Sequence, residues 1–291
     1  MADAFIARGD DVLVVDDLST GRRENVPENA AFERLDVADA GALERAFEAG
    51  ADVVCHLAAQ ASVTVSVTDP VLDCTSNVVG TLNVCEAARR RGAAVVFAST
   101  GGALYGDRAP LPTPETFTSE PLSPYGASKL SGEAYVATWG RLYRMANVVL
   151  RLGNVYGPRQ NPHGEAGVVA IFSAVLLDGE RPTLRGEGKP TRDYVFVSDV
   201  ANAFVTAAGG AGAGTYNVGT GRQTSTARLL AVMQNAAGTA IEPLHVELQP
   251  GELQSSALDS SLIERELGWR AAVDLEAGLR QTLDWYRAAR R

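Results

Sequence analysis

Ala94-Val95-Val96-Phe97-Ala98-Ser99-Thr100-Gly101-Gly102-Ala103-Leu104-Tyr105-Gly106 begins as an apolar run and ends in two hydroxyls and two adjacent glycines. A run apolar at every position is buried on both faces, which is the condition of a strand in a parallel sheet covered by helices. The pattern predicts a strand over 94–98 and a tightly packed, hydrogen-bonding loop from Ser99 to Gly106. Working outward, comparable runs occupy 11–15, 31–37, 52–57 and 147–152. Helical patterns at 40–49 and 78–92, and a helix carrying 123–133, alternate with them. Repeated strand, helix, strand units with short connections predict an α/β fold, a doubly wound parallel sheet of Rossmann-like type. Open sheets of this kind bind ligands at the carboxyl ends of their strands. Asp16 and Asp36 close two of the runs, Ala58-Ala59-Gln60 follow another, and Ser99-Thr100 follow the run quoted first.

The texture changes after Gly153. A loop is expected over 154–160. Helices are expected at 168–177, 198–208, 225–236, 260–267 and 275–289, with strands at 182–188, 192–197 and 214–219. The last helix carries Leu275, Leu279, Thr282, Leu283 and Tyr286 on one stripe, and Asp274 is its expected N-cap. The division predicted is a dinucleotide-binding domain over 1–153 and a smaller mixed substrate lobe over 154–291, with some of its elements packing back on the first.

Bulk properties narrow the function. A net charge of −9 argues against a nucleic-acid footprint, which needs a basic face. The three cysteines, Cys55, Cys74 and Cys85, show no CxxC spacing. Cys55 and His56 are adjacent on a strand and point to opposite faces, so no metal site is expected. Neither an apolar run of membrane-spanning length nor a signal-peptide pattern occurs, and a cytoplasmic protein is expected.

Tyr125 and Lys129 stand four apart, one turn of a helix. A phenol beside an ammonium has a stabilised anion and moves protons near neutral pH. An exposed tyrosine that happens to precede a lysine has the same spacing, so the pair gains meaning from its surroundings. Asp16 likewise reads two ways. It is a turn-forming aspartate, or the carboxylate that binds adenosine ribose hydroxyls and favours NAD over its 2′-phosphorylated form.

Taken in order, the motifs form a set. They are Val14 to Leu18, His56 to Gln60, Asn77 to Asn83, Ser99 to Gly106, Tyr125 to Lys129, Arg151 to Pro158, Arg192 to Val195 and Tyr216 to Gly219. Over essentially the whole chain this set resembles the extended short-chain dehydrogenase/reductase superfamily, nearest to nucleotide-sugar 4-epimerases acting on UDP-hexoses. The resemblance implies Tyr125 as acid/base, with Lys129 lowering its pKa and holding the nicotinamide ribose. It implies a hydroxyl between the sugar O4 and the phenol, Thr100 with Ser99 in reserve. The cofactor, NAD, would lie against Asp16, Asp36, Val37, Ala58, Ala59, Gln60 and Asn77. A UDP-hexose would be held by Thr100, Tyr125, Asn154, Val168, Arg192 and Ser256. A homodimer through 78–91 and 128–142 is also implied.

Three departures matter. Met1 falls inside what would be the first helix, so the strand and Gly-x-x-Gly-x-x-Gly turn of the family are not in the chain; roughly 20 to 25 preceding residues are the expectation. Gly101-Gly102 stands where related dehydratases carry an Asp-Glu pair and decarboxylases a Glu, which argues against both chemistries. Gln249 replaces a common arginine, while Ser256 is small enough to leave room for an N-acetyl group. Another nucleotide-sugar epimerase or reductase, or a non-catalytic nucleotide-sugar-binding protein, are the alternatives.

Overall fold

The structure is a computed structural model that describes residues 1–163, 167–210, 212–248 and 253–290. In chain order, α1 (Ala2–Arg8) leads to β1 (Leu13–Val15), β2 (Ala31–Glu33), α2 (Ala40–Ala46) and β3 (Val53–His56). Two short helices, α3 (Val63–Thr68) and α4 (Pro70–Cys74), pass through a π-helical turn at Thr75–Val79 into α5 (Gly80–Arg91). Next come β4 (Ala94–Thr100), α6 (Pro124–Tyr143), β5 (Val148–Leu152), β6 (Asn154–Tyr156) and α7 (Val168–Leu177). The remainder is β7 (Thr183–Arg185), β8 (Thr191–Arg192), β9 (Tyr194–Phe196), α8 (Val197–Ala208), β10 (Gly214–Val218), β11 (Thr224–Ser225), α9 (Thr226–Ala237), β12 (Leu244–Val246), α10 (Ser261–Leu267) and α11 (Leu275–Ala289).

The central sheet runs β3-β4-β5-β10, all parallel. Alternation along β4 explains why it is apolar throughout. Val95 and Phe97 pack with Cys85 and Val136 under α5 and α6, while Val96 and Ala98 pack with Phe204 and Trp269 on the other face. β1 and β2 form a separate parallel pair. Among the described residues β1 and β3 are not hydrogen-bonded to each other. β10 comes from the second half of the chain yet extends the sheet beside β5, with Gly214 opposite Val148 and Val218 opposite Leu152. No described helix is long and apolar enough to cross a membrane.

Several elements differ from the sequence expectation. β4 continues through Ser99 and Thr100, because both remain in register with Arg151 and Leu152 of β5. The second strand stops at Glu33, and the Asp36 carboxylate instead accepts from Ala38 N at 2.8 Å in a local turn. Residues 154–156, expected as loop, form β6, paired with β9 from Asn154 opposite Tyr194. α3, α4 and β12 were not anticipated. The last helix forms as expected, with Asp274 accepting from Ala277 N at 2.9 Å and Leu279, Thr282, Leu283 and Tyr286 buried.

Candidate active site

Ser123 starts α6 by accepting from Gly126 N at 3.2 Å, with Pro124 in the first turn. Two glycines let this helix press against the sheet. A Cβ on Gly126 would lie 2.5 Å from the Ala103 carbonyl, and one on Gly132 would lie 2.8 Å from the Phe97 ring. That close approach brings Tyr125 and Lys129 to the carboxyl end of β4, on one face of the helix.

The Thr100 hydroxyl faces the Tyr125 phenol and favours its charged form. Thr100 Oγ1 accepts from Ala103 N at 3.2 Å, which leaves its proton for the phenol oxygen. Ser99 faces the other way. It is buried and donates to Glu133 Oε1 at 2.5 Å. Strand alternation thus separates the two hydroxyls, one toward the phenol and one toward a buried ion pair. In that pair, Arg151 Nη2 lies 2.7 Å from Glu133 Oε2. Burial opposes the Arg151 charge, but the hydrogen bonds and charge of Glu133 outweigh it and hold the guanidinium pKa above its ordinary value. Arg151 also donates to Tyr105 Oη at 2.8 Å, and Tyr105 to Asn217 Oδ1 at 2.9 Å.

The sequence suggests a phenol shifted down by Lys129, whereas the phenol here is shifted up. Burial pushes Tyr125 up to about 12, the negative charge of Asp73 adds to this, and the Thr100 hydrogen bond opposes it. The Lys129 ammonium is engaged elsewhere, donating to the Ala98 carbonyl at 3.0 Å and lying 4.9 Å from the Phe97 ring centre. Burial pulls Lys129 itself down to about 8, against the charges of Asp73 and Glu133, which raise it. Behind it, burial and then the Lys129 charge depress His56 to about 3, so the imidazole is neutral. Thr81 donates to the Asn77 carbonyl at 2.6 Å, so it accepts from His56 Nε2 at 3.0 Å and fixes the Nε2–H tautomer.

The residues expected on the cofactor side follow the carboxyl ends of β1, β2 and β3. Asp16 accepts from Leu18 N at 2.7 Å, holding the turn after β1. Gly21 passes so close that a Cβ there would lie 2.8 Å from Asp16 Oδ1. Val37 packs on Gly80 and offers its carbonyl to Asn83 Nδ2 at 3.0 Å. Ala58 and Ala59 are half-buried after β3. Gln60 and Asn77 grip each other: Gln60 N donates to Asn77 Oδ1 at 2.8 Å and Asn77 Nδ2 to Gln60 O at 2.9 Å.

On the other side of Thr100, Asn154 is exposed, and a Cβ on Gly102 would lie 3.6 Å from its Oδ1. Arg192 is half-buried on β8 and donates to the Thr191 carbonyl at 2.8 Å. Ser256 is buried and donates its N–H to that same carbonyl at 3.2 Å. Asp193, next to Arg192, gathers Thr220 N at 2.9 Å, Gly221 N at 3.0 Å and Leu258 N at 3.1 Å. Val168 opens α7 and packs half-buried on the apolar cluster of α9 and α11. Gln249, with residues 250–252, lies outside the described residues. Sequence reasoning gave no role to Asp73, Ser128, Glu133 or Arg151, although the last three fall within stretches it singled out. Each is a polar residue whose burial is decided by elements distant in the chain.

Tyr125 and Lys129 thus lie at the end of β4, an acidic turn follows β1, and Arg192 on β8 stands two residues before Tyr194, the strand partner of Asn154. Residues 1–219 match the NAD dependent epimerase/dehydratase family. The chain belongs to that family. It is 45% identical to the UDP-glucose 4-epimerase of Mycolicibacterium smegmatis over 99% of this chain and 94% of that protein. Among solved structures, the UDP-glucose 4-epimerase of Thermotoga maritima with UDP-glucose superposes with a TM-score of 0.96 at 41% identity, covering 99% of this chain and 94% of that one. The UDP-glucose 4-epimerase of Thermus thermophilus, a complex with NAD, gives 0.93 at 45% identity with the same coverage.

Proposed function

We propose that this protein is an NAD-dependent UDP-hexose 4-epimerase. The observation that carries the reading is the Thr100 hydroxyl beside the Tyr125 phenol at the carboxyl end of β4, with Lys129 one turn along and no carboxylate following Thr100. Its donor set fits NAD: a carboxylate at the end of β1 suits ribose hydroxyls, and the half-buried Ala58–Ala59 edge lets a flat ligand approach the backbone. When bound, the cofactor supplies a reversible two-electron oxidation at the hexose C4.

The chain's own residues do the rest. Tyr125 exchanges the proton of the C4 hydroxyl, and Thr100 orients the phenol by donating to it. Lys129 stays fixed between the Ala98 carbonyl and the Phe97 ring. Arg192 and Asn154 hold the diphosphate, for which a guanidinium is the suited cation. Packing at Gly101 favours epimerisation over elimination. A Cβ there would come within 2.5 Å of buried Leu258 Cδ1, so an aspartate has no room. Small Ser256 favours acceptance of N-acetylated hexoses.

The outward faces of α5 and α6 support a homodimer. Tyr135, Leu142 and Tyr143 on α6 are exposed, Leu142 at 63%, and Val79 just before α5 is exposed too. The reading is tested by assaying purified protein for bound NAD and for interconversion of UDP-glucose and UDP-galactose. Conversion in wild type and its loss in Tyr125→Phe are expected. Folded protein that neither binds NAD nor converts either sugar would refute it. A monomer by sedimentation would refute the dimer alone.

A further inference from the structure

Asp73 is a carboxylate with 1% exposure on α4, although its neighbours Val71 and Leu72 are exposed at 74% and 47%. Its Oδ1 accepts from Gln60 Nε2 at 2.9 Å and from Asn77 Nδ2 at 3.0 Å. Both donors lead to the site. Gln60 closes the edge after β3, where its side chain also bonds the Ser62 backbone. Asn77 Nδ2 reaches Ser128 Oγ at 3.1 Å, and Ser128 donates to the Tyr125 carbonyl at 2.9 Å. Thus one carboxylate is linked through two amides and a hydroxyl to the cofactor edge and to the backbone of the acid/base tyrosine.

Charge makes the same connection. The titratable groups around Lys129 and Tyr125 are Asp73 from α4, Glu133 from α6 and neutral His56 from β3; β4 adds the Thr100 hydroxyl and the Ala98 carbonyl. Glu133 is committed to Arg151 of β5 by three hydrogen bonds. Asp73 carries no such cation of its own among the described ion pairs. Its charge acts on Lys129 ahead of that of Glu133.

We propose that Asp73 is a positioning residue for proton transfer: it is the counter-charge of Lys129 and ties the Gln60 edge to the start of α6 through Asn77 and Ser128. Its catalytic consequence rests on the epimerase reading; its effect on Lys129 does not.

The chain has two lysines, Lys129 and Lys189, and Lys189 is exposed in an ion pair with Glu187. Titration of protein carrying ¹³C at lysine Cε therefore reads Lys129 against an internal control. In Asp73→Asn the Lys129 midpoint falls by about one pH unit while Lys189 stays where it was. An unchanged Lys129 midpoint in folded Asp73→Asn overturns the proposal. Should that variant not fold, Asp73→Glu decides: keeping the anion holds the Lys129 midpoint at its wild-type value, and a fall of about one pH unit there overturns the proposal. Turnover gives a separate readout. Losing the anion favours the phenolate, so the acid limb of kcat in Asp73→Asn moves to lower pH. A fall in kcat equal at every pH, with the limb unmoved, marks a merely structural residue and also overturns the proposal.

Discussion

Replacing Thr100 by valine tests the assignment of the two hydroxyls most directly. Valine keeps the branched shape that β4 accommodates and removes one hydroxyl. That hydroxyl favours the charged form of the Tyr125 phenol. A hydrogen bond to a charged group contributes about 1.5–3 kcal/mol, which converts to a fall in kcat of about 10- to 150-fold. Losing a bond that favours the phenolate also raises the Tyr125 pKa, so the acid limb of the kcat profile moves to higher pH. Ser99→Ala is the control. Ser99 gives up one bond to Glu133 Oε1, and Glu133 keeps its bonds to Arg151 at 3.0, 3.2 and 2.7 Å. The cost is about 1 kcal/mol of stability in urea unfolding, with kcat within about threefold of wild type. The assay is steady-state epimerisation from pH 5 to 10. Equal losses in the two variants, or a Thr100→Val enzyme within about threefold of wild type, would refute the assignment.

Acid should destabilise the fold through His56. Its folded pKa of about 3 lies below the ordinary 6.5, so between these values the unfolded chain binds a proton that the folded one refuses, and stability falls as pH drops below 6.5. The loss approaches about 1.4 kcal/mol per pH unit, and urea unfolding at pH 6.5 and 4.5 should show a smaller drop in His56→Gln than in wild type. Glu133→Ala leaves the Arg151 charge buried and should cost about 3–5 kcal/mol by the same assay; a cost below about 1 kcal/mol would mean the pair is not a structural tie. Gly101→Ala pushes a methyl to 2.5 and 2.6 Å from the Leu258 methyls, so it should lose about 1–3 kcal/mol, and Leu258→Ala should restore part of it in the double variant. Ser256→Tyr should lower kcat/KM for N-acetylated UDP-hexoses more than for UDP-glucose; an unchanged ratio removes Ser256 from sugar selection.

What the sequence made legible was local. The Tyr125–Lys129 spacing, the cap at Asp274 and the apolar run of β4 each depend on residues within one or two turns, and each forms as expected. What it hid depends on partners far along the chain. β6 reads as a loop because its partner Tyr194 lies forty residues beyond Asn154. β10 reads as part of a second lobe, yet it completes the sheet beside β5. Asp73 sits among exposed neighbours in a five-residue helix and looks solvated; Asn77 one turn on and Gln60, thirteen residues back across the loop after β3, make it a buried carboxylate. The direction of the Tyr125 shift was hidden for a related reason. Spacing places Lys129 one turn away, but burial and the direction of its ammonium decide what it does to the phenol.

These long-range contacts also explain how the two ends of a nucleotide sugar could be held in register by residues from distant motifs. From Ser99, the buried chain runs through Glu133, Arg151 and Tyr105 to Asn217 at the end of β10. Asn217 Nδ2 then donates to the Thr113 carbonyl at 2.9 Å and to the Asp259 carbonyl at 3.1 Å. The neighbouring Leu258 packs its methyls on Gly101 and its N–H on Asp193, the residue after Arg192. The segment between Thr100 and Arg192 is thereby fixed at both ends by buried groups. In close-packed surroundings a shift at one end cannot be absorbed locally. A substitution at Tyr105 or Asn217, remote from Tyr125, should therefore lower kcat as well as raise KM, because it loosens the strand end that carries Thr100.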